Sequence, residues 1–169
     1  MSYTTKQIRA GYCFVVCCLT MLVISCGVPA EVPGQPDSTT IEFVAAPGTE
    51  SLELPFSEVV RVHDMLYLSG QLGLVPGTTE LVPGGITGQT RQVLDNIKAI
   101  LERNGSSLDR VVKCTVFLAD IDEWPAMNEV YRTYFPANPP ARSAMAASGL
   151  AFDASVEIEC MAVAGQPPL

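Results

Sequence analysis

The sequence has few of the residues from which metal centres and histidine-dependent active sites are built. It contains one histidine, His63, and its six cysteines form neither a CxxC pair nor a cluster with histidine. It also lacks GxGxxG, P-loop, HExxH and GxSxG patterns, so dinucleotide, phosphate, zinc-protease and serine-hydrolase chemistry have no support. We therefore expect no metal site, and we interpret His63, beside Asp64, as an exposed turn residue.

Basic residues are also scarce. The chain has 10 Lys and Arg against 18 Asp and Glu, a net charge of −8, and no basic run. Without residues 1–25, which hold Lys6, Arg9 and no acid, the net charge becomes −10. Phosphate backbones bind Lys and Arg clusters. This composition therefore disfavours nucleic-acid binding, although one local arginine could still hold a small anion.

No apolar run is long enough to span a membrane comfortably. Residues 11–24 form an uncharged, mostly apolar stretch of fourteen residues behind Lys6 and Arg9. A transmembrane helix needs about 20 such residues, whereas this length with positive residues in front is typical of a secretory signal. We predict a signal peptide over residues 1–25.

The end of that stretch resembles a bacterial lipobox, Val-Ile-Ser-Cys-Gly at residues 23–27. The resemblance implies that Cys26 is acylated and anchors the protein on the periplasmic side, and Gly27 favours the outer membrane. An ordinary signal peptide, giving a secreted or soluble periplasmic protein, is the alternative. Residues 26–41 contain three prolines and are interpreted as an extended tether.

Cleavage before Cys26 would leave Cys114 and Cys160 as the cysteines of the folded domain. An oxidising compartment permits a disulfide between them, but the sequence does not establish one. We favour two unpaired cysteines buried in strands.

Hydrophobic periodicity predicts a single α+β domain over residues 42–166, with the order β-β-β-α-β-α-β-β. Strands are expected near residues 41–45, 58–62, 65–69, 111–118, 142–147 and 154–163, and helices over 87–104 and 123–135. The two predicted helices would cover only one face of the predicted sheet. We expect another copy of the chain to cover the other face.

Arg142 is the strongest candidate for chemistry. It follows Pro-Pro-Ala at residues 139–141, and a guanidinium can hold a carboxylate through two parallel hydrogen bonds. A surface ion pair with Glu157 or Glu159 is the alternative. Because side chains alternate along a strand, both glutamates lie on one face of the last strand, where they could simply be solvated.

Six segments resemble successive signatures of the RidA (YjgF) family, also described as L-PSP endoribonucleases. They are Leu-Pro-Phe-Ser at 54–57, Leu-Ser-Gly-Gln at 68–71, Gln-Thr-Arg-Gln-Val-Leu-Asp-Asn-Ile at 89–97, Lys-Cys-Thr-Val-Phe-Leu at 113–118, Pro-Ala-Arg-Ser at 140–143 and Val-Glu-Ile-Glu at 156–159. The resemblance implies a chorismate-mutase-like fold. It also implies a homotrimer whose ligand sites lie in the clefts between subunits.

The resemblance further implies hydrolysis of enamine or imine acids, such as 2-aminoacrylate, to a 2-oxo acid and ammonia, without a metal or organic cofactor. By position, Arg142 would grip the substrate carboxylate and Glu157 would position or activate water. Ser69 and Gly70 would line the pocket, and Asn128 would lie near the cleft of a neighbouring subunit.

Three features depart from the family pattern. Phe56 stands where a tyrosine is common, Ala144 stands where many members have a cysteine, and the leucine at position 150 lacks its usual following proline. Phe56 and Ala144 are predicted substrate-binding residues, so these changes should affect which substrate is bound. They keep open a trimer that binds small carboxylates without turnover. An endoribonuclease is disfavoured by the acidic charge and by export.

Overall fold

The structure is a computed structural model that describes residues 40–48 and 54–165. The predicted signal peptide, the predicted lipidation site Cys26 and all but the end of the tether lie outside the described residues. Within the described ranges, no helix combines the length and apolarity that a membrane span requires. The predicted domain is described except for residues 49–53 and 166.

One mixed sheet forms the framework. Its strands are β1 (Ile41–Val44), β2 (Val59–Val62), β3 (Met65–Leu68), β4 (Gln71–Leu72), β5 (Val111–Leu118), β6 (Ala141–Ala146) and β7 (Val156–Val163). The spatial order is β1-β2-β3-β7-β5-β6, and β4 pairs with β7 further along the edge that β3 uses. Only β5 and β6 run parallel among these pairs. This order places β5 between the strand that carries Arg142 and the strand that carries Glu157.

Two helices cover one face of the sheet. Helix α1 spans Gly85–Arg103 and α2 spans Trp124–Tyr134. Gly84, with φ of 102°, begins α1 in a left-handed conformation that glycine adopts readily. The helices and the sheet share one hydrophobic core. The buried helix residues are Ile86, Gln89, Thr90, Val93, Leu94, Ile97, Ile100 and Leu101 in α1, and Met127, Val130 and Tyr131 in α2.

The predicted fold class is confirmed, with both helices and the long strands found within two residues of their predicted ends. Residues 63 and 64 form the predicted turn, in which His63 has a φ of 54°. The short strand β4 was not predicted, because two residues are too few to show a periodic pattern. It matters here because it brings Gly70 to the edge of β7.

The two faces of the sheet differ in character. Cys114 lies beside Arg142 in β6 and opposite Cys160 in β7, and both cysteines are buried beneath the helices. Side chains alternate along a strand, so Glu157 points to the opposite, open face. That face exposes apolar side chains: Tyr67 is 40% exposed, Met145 46% and Met161 37%.

Cys114 and Cys160 form a disulfide that joins β5 to β7. Their Cα atoms are 4.1 Å apart, as befits residues that face each other directly in an antiparallel pair. The expectation of two unpaired cysteines is therefore wrong. The strand register, which brings together residues 46 positions apart, decides the pairing.

Candidate active site

Glu157 and Gly70 fit together closely at the edge of β7. A Cβ atom at Gly70 would lie 1.9 Å from Oε1 of Glu157, which is closer than two non-bonded atoms can approach. The pairing of Leu72 with Glu157 across β4 and β7 sets this approach. Gly70 therefore leaves the space in which the Glu157 carboxylate lies.

The environment of Glu157 raises the pKa of its carboxyl group above that of an ordinary glutamate. Partial burial raises the pKa of the Glu157 carboxyl group, and the negative charge of Glu159 on the same face adds to the increase. A carboxyl group with a raised pKa exchanges protons closer to neutral pH than an ordinary glutamate does. Glu157 is therefore suited to move a proton to or from a water molecule.

A cavity of about 400 Å³ adjoins Gly70 and contains two further predicted binding residues, Ser69 and Phe56. Its other lining residues are Phe43, Ala45, Ala46, Leu54, Ser57, Glu58, Gln71, Leu72, Leu74, Asn96 and Phe152. The Ser69 hydroxyl donates to the Ser57 carbonyl oxygen at 2.6 Å, which fixes its orientation. The serine oxygen can still accept a hydrogen bond from a ligand. We call this the Ser69 cavity.

Arg142 lies on the other face of the sheet, at a second cavity of about 520 Å³. This Arg142 cavity also contains Asn128, together with Tyr131, Arg132, Phe135, Pro139 and Pro140. The alternative ion pair between Arg142 and Glu157 or Glu159 is absent from the described part of the chain. The sheet separates the groups, so the charge of Arg142 remains available to an anionic ligand.

Tyr131 supports the Arg142 side chain from α2. The guanidinium carbon lies 4.5 Å from the centre of the Tyr131 ring, within the range of a cation–π contact. Burial raises the pKa of Tyr131 to about 12, against the opposing effect of the Arg142 charge. The phenol therefore stays neutral near pH 7 and contributes its ring face rather than a charge.

The predicted site residues thus divide into two groups within one chain, which we call half-sites. Phe56, Ser69, Gly70 and Glu157 lie at or beside the Ser69 cavity, whereas Arg142 and Asn128 line the Arg142 cavity. Ala144 lines neither and packs against the core. Within the described residues, neither cavity brings Arg142 and Glu157 together.

The sequence did not point to several lining residues. Tyr131 fitted the apolar stripe of α2, and Phe43 fitted an alternating strand, so neither stood out. Phe152 had one indirect signal, the missing proline of its segment. No group of histidine, cysteine, aspartate or glutamate residues in the described chain is arranged to hold a metal ion.

Comparison with known proteins identifies the family. The sequence model of the endoribonuclease L-PSP family matches residues 48–164. A RutC family protein of Pyrococcus horikoshii is 47% identical over 64% of this chain and 86% of its own length. The mouse protein named 2-iminobutanoate/2-iminopropanoate deaminase is 43% identical over 66% of this chain and 82% of its own length.

A solved structure gives the same result. The crystal structure of the YjgF gene product from E. coli superposes with a TM-score of 0.65 at 34% identity, covering 72% of this chain and 98% of that one. The order of strands and helices agrees with these matches. The chain belongs to the L-PSP endoribonuclease family, which is the RidA (YjgF) family.

Proposed function

We propose that this protein is a hydrolytic deaminase that converts enamine or imine acids, of the 2-aminoacrylate type, to 2-oxo acids and ammonia. The observation that carries the proposal is the division of the site. Arg142, a cation with no carboxylate partner among the described residues, lies at one cavity, and Glu157, a carboxyl group with a raised pKa, lies beside the other. Relatives that carry the name of a deaminase for 2-imino acids support the same chemistry.

The reaction requires an oriented substrate and the transfer of the protons of one water molecule to the imine nitrogen. The guanidinium of Arg142 holds the substrate carboxylate through paired hydrogen bonds. Water then forms a bond to the imine carbon while the C=N electron pair moves to nitrogen, and Glu157 accepts the water proton. Glu157 returns that proton to the nitrogen, which gives a carbinolamine. It then takes the carbinolamine hydroxyl proton and delivers it to the nitrogen as the C–N bond breaks and the C=O bond forms. The products are a 2-oxo acid and ammonia.

We further propose that the complete site forms between subunits of a homotrimer. The open sheet face carries Tyr67, Met145 and Met161, whose exposed apolar surface a second copy of the chain would cover. In such an assembly the Arg142 cavity of one subunit would meet the Ser69 cavity of the next. The substrate carboxylate and the attacking water would then be held by different chains.

The proposed location is the periplasmic side of a membrane, with Cys26 as the lipid anchor and the outer membrane as the preferred site. The disulfide between Cys114 and Cys160 supports an oxidising compartment, since such bonds persist there and are rare in the cytosol. Incorporation of labelled palmitate into the full chain, and its loss in Cys26→Ser, would test the anchor. Labelling that survives this substitution would contradict it.

Imine decay in the presence of an amino-acid oxidase and the full-length chain tests the activity. Arg142→Ala should lower kcat/KM by about 30-fold to several thousandfold, because a buried charge pair with the substrate is lost. Arg91→Ala is the matched control, since Arg91 is exposed and lines neither cavity. An imine that decays no faster than in buffer, or an Arg142→Ala variant with full activity, contradicts the proposal.

Binding of small carboxylates without turnover is the second candidate, and Phe56 favours it because a phenylalanine cannot supply the hydroxyl of the more common tyrosine. Calorimetry of the full-length chain with 2-oxo acids distinguishes the two functions. Binding with no imine hydrolysis selects the binding protein, and measurable turnover removes it.

A further inference from the structure

The Ser69 cavity is bounded by aromatic rings that are exposed in the subunit. Phe43 is 71% exposed, Phe56 62% and Phe152 56%, and Leu54 beside them is 43% exposed. A single exposed apolar side chain is ordinary, but several around one concave surface indicate a binding site. These three rings, with Leu54, are called the aromatic wall.

The backbone at Phe152 is held in an unfavourable conformation. Phe152 has a φ of 59° and Asp153 a φ of 58°, in the left-handed region that is unfavourable for residues with a Cβ atom. Glycine would relieve this strain, yet the chain carries a large ring at position 152. Non-glycine residues held in this way concentrate at ligand sites, which points to a contact between the ring and a ligand.

The polar groups of the cavity wall are largely occupied. The Asn96 amide donates to the carbonyl oxygens of Leu72 and Leu74 at 3.2 and 3.1 Å. Glu58 binds Arg103 through Oε1, while its buried Oε2 has no partner in the described residues. Because that oxygen is buried, it offers a ligand no direct contact. The wall therefore offers mainly apolar contact beyond Ser69 and Gly70.

We propose that the site is selective for imino acids with large apolar or aromatic side chains, which the aromatic wall would contact. This inference rests on the proposed function and names its substrate class. A cavity of about 400 Å³ falls in the range of pockets that hold drug-sized ligands, well beyond the needs of a three-carbon acid. The imine derived from phenylalanine is accordingly a better substrate than the imine derived from alanine.

The first test compares these two imines, generated in situ, with the full-length chain. We expect kcat/KM to be at least about tenfold higher for the phenylalanine-derived imine, since each added methylene in a fitted pocket contributes about tenfold or more. Equal values, or a preference for the alanine-derived imine, would overturn the inference.

Phe152→Gly separates the ring from its backbone conformation. The variant should lose at least about tenfold of the preference and should melt at the same temperature as the wild type or higher, because glycine tolerates the positive φ. Asp153→Gly is the matched control. It relieves the same kind of strain one residue away and should keep the preference, since Asp153 does not line the cavity.

The aromatic wall could instead be covered by another subunit. Sedimentation of the wild type and of Phe152→Gly tests whether another subunit covers the aromatic wall. An unchanged assembly state with a lost preference supports the inference. A variant that dissociates and loses activity toward both imines equally would assign the rings to a subunit interface and overturn it.

Calorimetry with phenylpyruvate and pyruvate separates the inference from the proposed function. Tighter binding of phenylpyruvate, reduced to the pyruvate level in Phe152→Gly, supports the selectivity even if no imine is hydrolysed, in which case only the deaminase function fails. Equal binding of the two acids to the wild type overturns the selectivity even if imines are hydrolysed.

Discussion

The guanidinium of Arg142 lies over the ring of Tyr131, with 4.5 Å between the guanidinium carbon and the ring centre. This contact joins the edge strand β6 to helix α2. It holds the arginine in place without neutralising its charge, which a carboxylate partner would do. The Arg142 cavity thus keeps a fixed cation that has no carboxylate partner in the described part of the chain, and a carboxylate is the ligand that such a group binds best.

Two substitutions at Tyr131 separate its ring from its hydroxyl. Tyr131→Leu should weaken binding of a 2-oxo acid by about twofold to 30-fold, because a cation–π contact contributes about 0.5–2 kcal/mol. Tyr131→Phe keeps the ring and should bind as the wild type does. Its melting temperature should not fall, since the buried hydroxyl lacks a partner in the described residues. Equal losses in both variants would contradict a role for the ring.

Substitution of Gly70 should affect activity more than stability. The new Cβ of Gly70→Ala would displace the end of the Glu157 side chain, which can rotate away at little cost to folding. Misplacement of a reacting group by about 1 Å lowers rates by about a hundredfold. Gly149→Ala is the control, because its Cβ would meet no atom within 4 Å. The kcat/KM values and melting temperatures of the two variants, compared side by side, check the prediction.

Helical periodicity predicted both helices, and alternation predicted that Glu157 and Glu159 share one face of their strand. The opposite placement of Arg142 could not be read from the sequence. It follows from the parallel pairing of β5 with β6, which puts Arg142 beside Cys114, and strand pairing depends on contacts distant in sequence. The disulfide could not be predicted for the same reason, because it also depends on the pairing of strands. Local sequence patterns determine each helix and strand, whereas the pairing of neighbouring strands determines which residues come together at the site.

The pH dependence of the reaction should report the raised pKa of Glu157. Because the ionised carboxylate accepts the water proton, kcat/KM should rise with pH through an apparent pKa above that of an ordinary glutamate. Glu159→Gln should move the midpoint to lower pH by removing a neighbouring charge. Part of the increase should remain, since burial is its larger cause. A midpoint that Glu159→Gln leaves unmoved would contradict the coupling.

The raised pKa of Glu157 should make the folded protein less stable as the pH rises, whereas it makes kcat/KM rise. A folded-state pKa above the unfolded one means that the native protein binds the proton more tightly. The stability that Glu157 contributes is therefore fully present below its unfolded pKa and is lost as the pH rises through its folded pKa. Glu157→Gln should flatten this part of the stability curve, as measured by urea unfolding across that pH range. The site thus gains a reactive carboxyl group at the expense of stability above its pKa.

Removal of the disulfide should destabilise the domain. The bond closes a loop between residues 46 positions apart, for which loss of unfolded-state freedom contributes about 2–4 kcal/mol. The double variant Cys114→Ala, Cys160→Ala should melt about 10 °C lower than the wild type. Reductant should destabilise the wild type and leave the double variant unchanged. A non-reducing digest in which the Cys114 and Cys160 peptides are not joined would refute the bond.

Mixing two inactive variants tests whether the half-sites of different subunits combine. Arg142→Ala retains a normal Ser69 cavity with Glu157, and Glu157→Gln retains a normal Arg142 cavity. If each site takes its arginine from one chain and its glutamate from the next, co-expression of the two variants should produce intact sites. Random assembly of equal amounts into a cyclic trimer gives about a quarter of all sites intact, so about a quarter of wild-type activity should return. A site contained in one chain could never regain both groups in this way, and activity would then stay at the level of the separate variants.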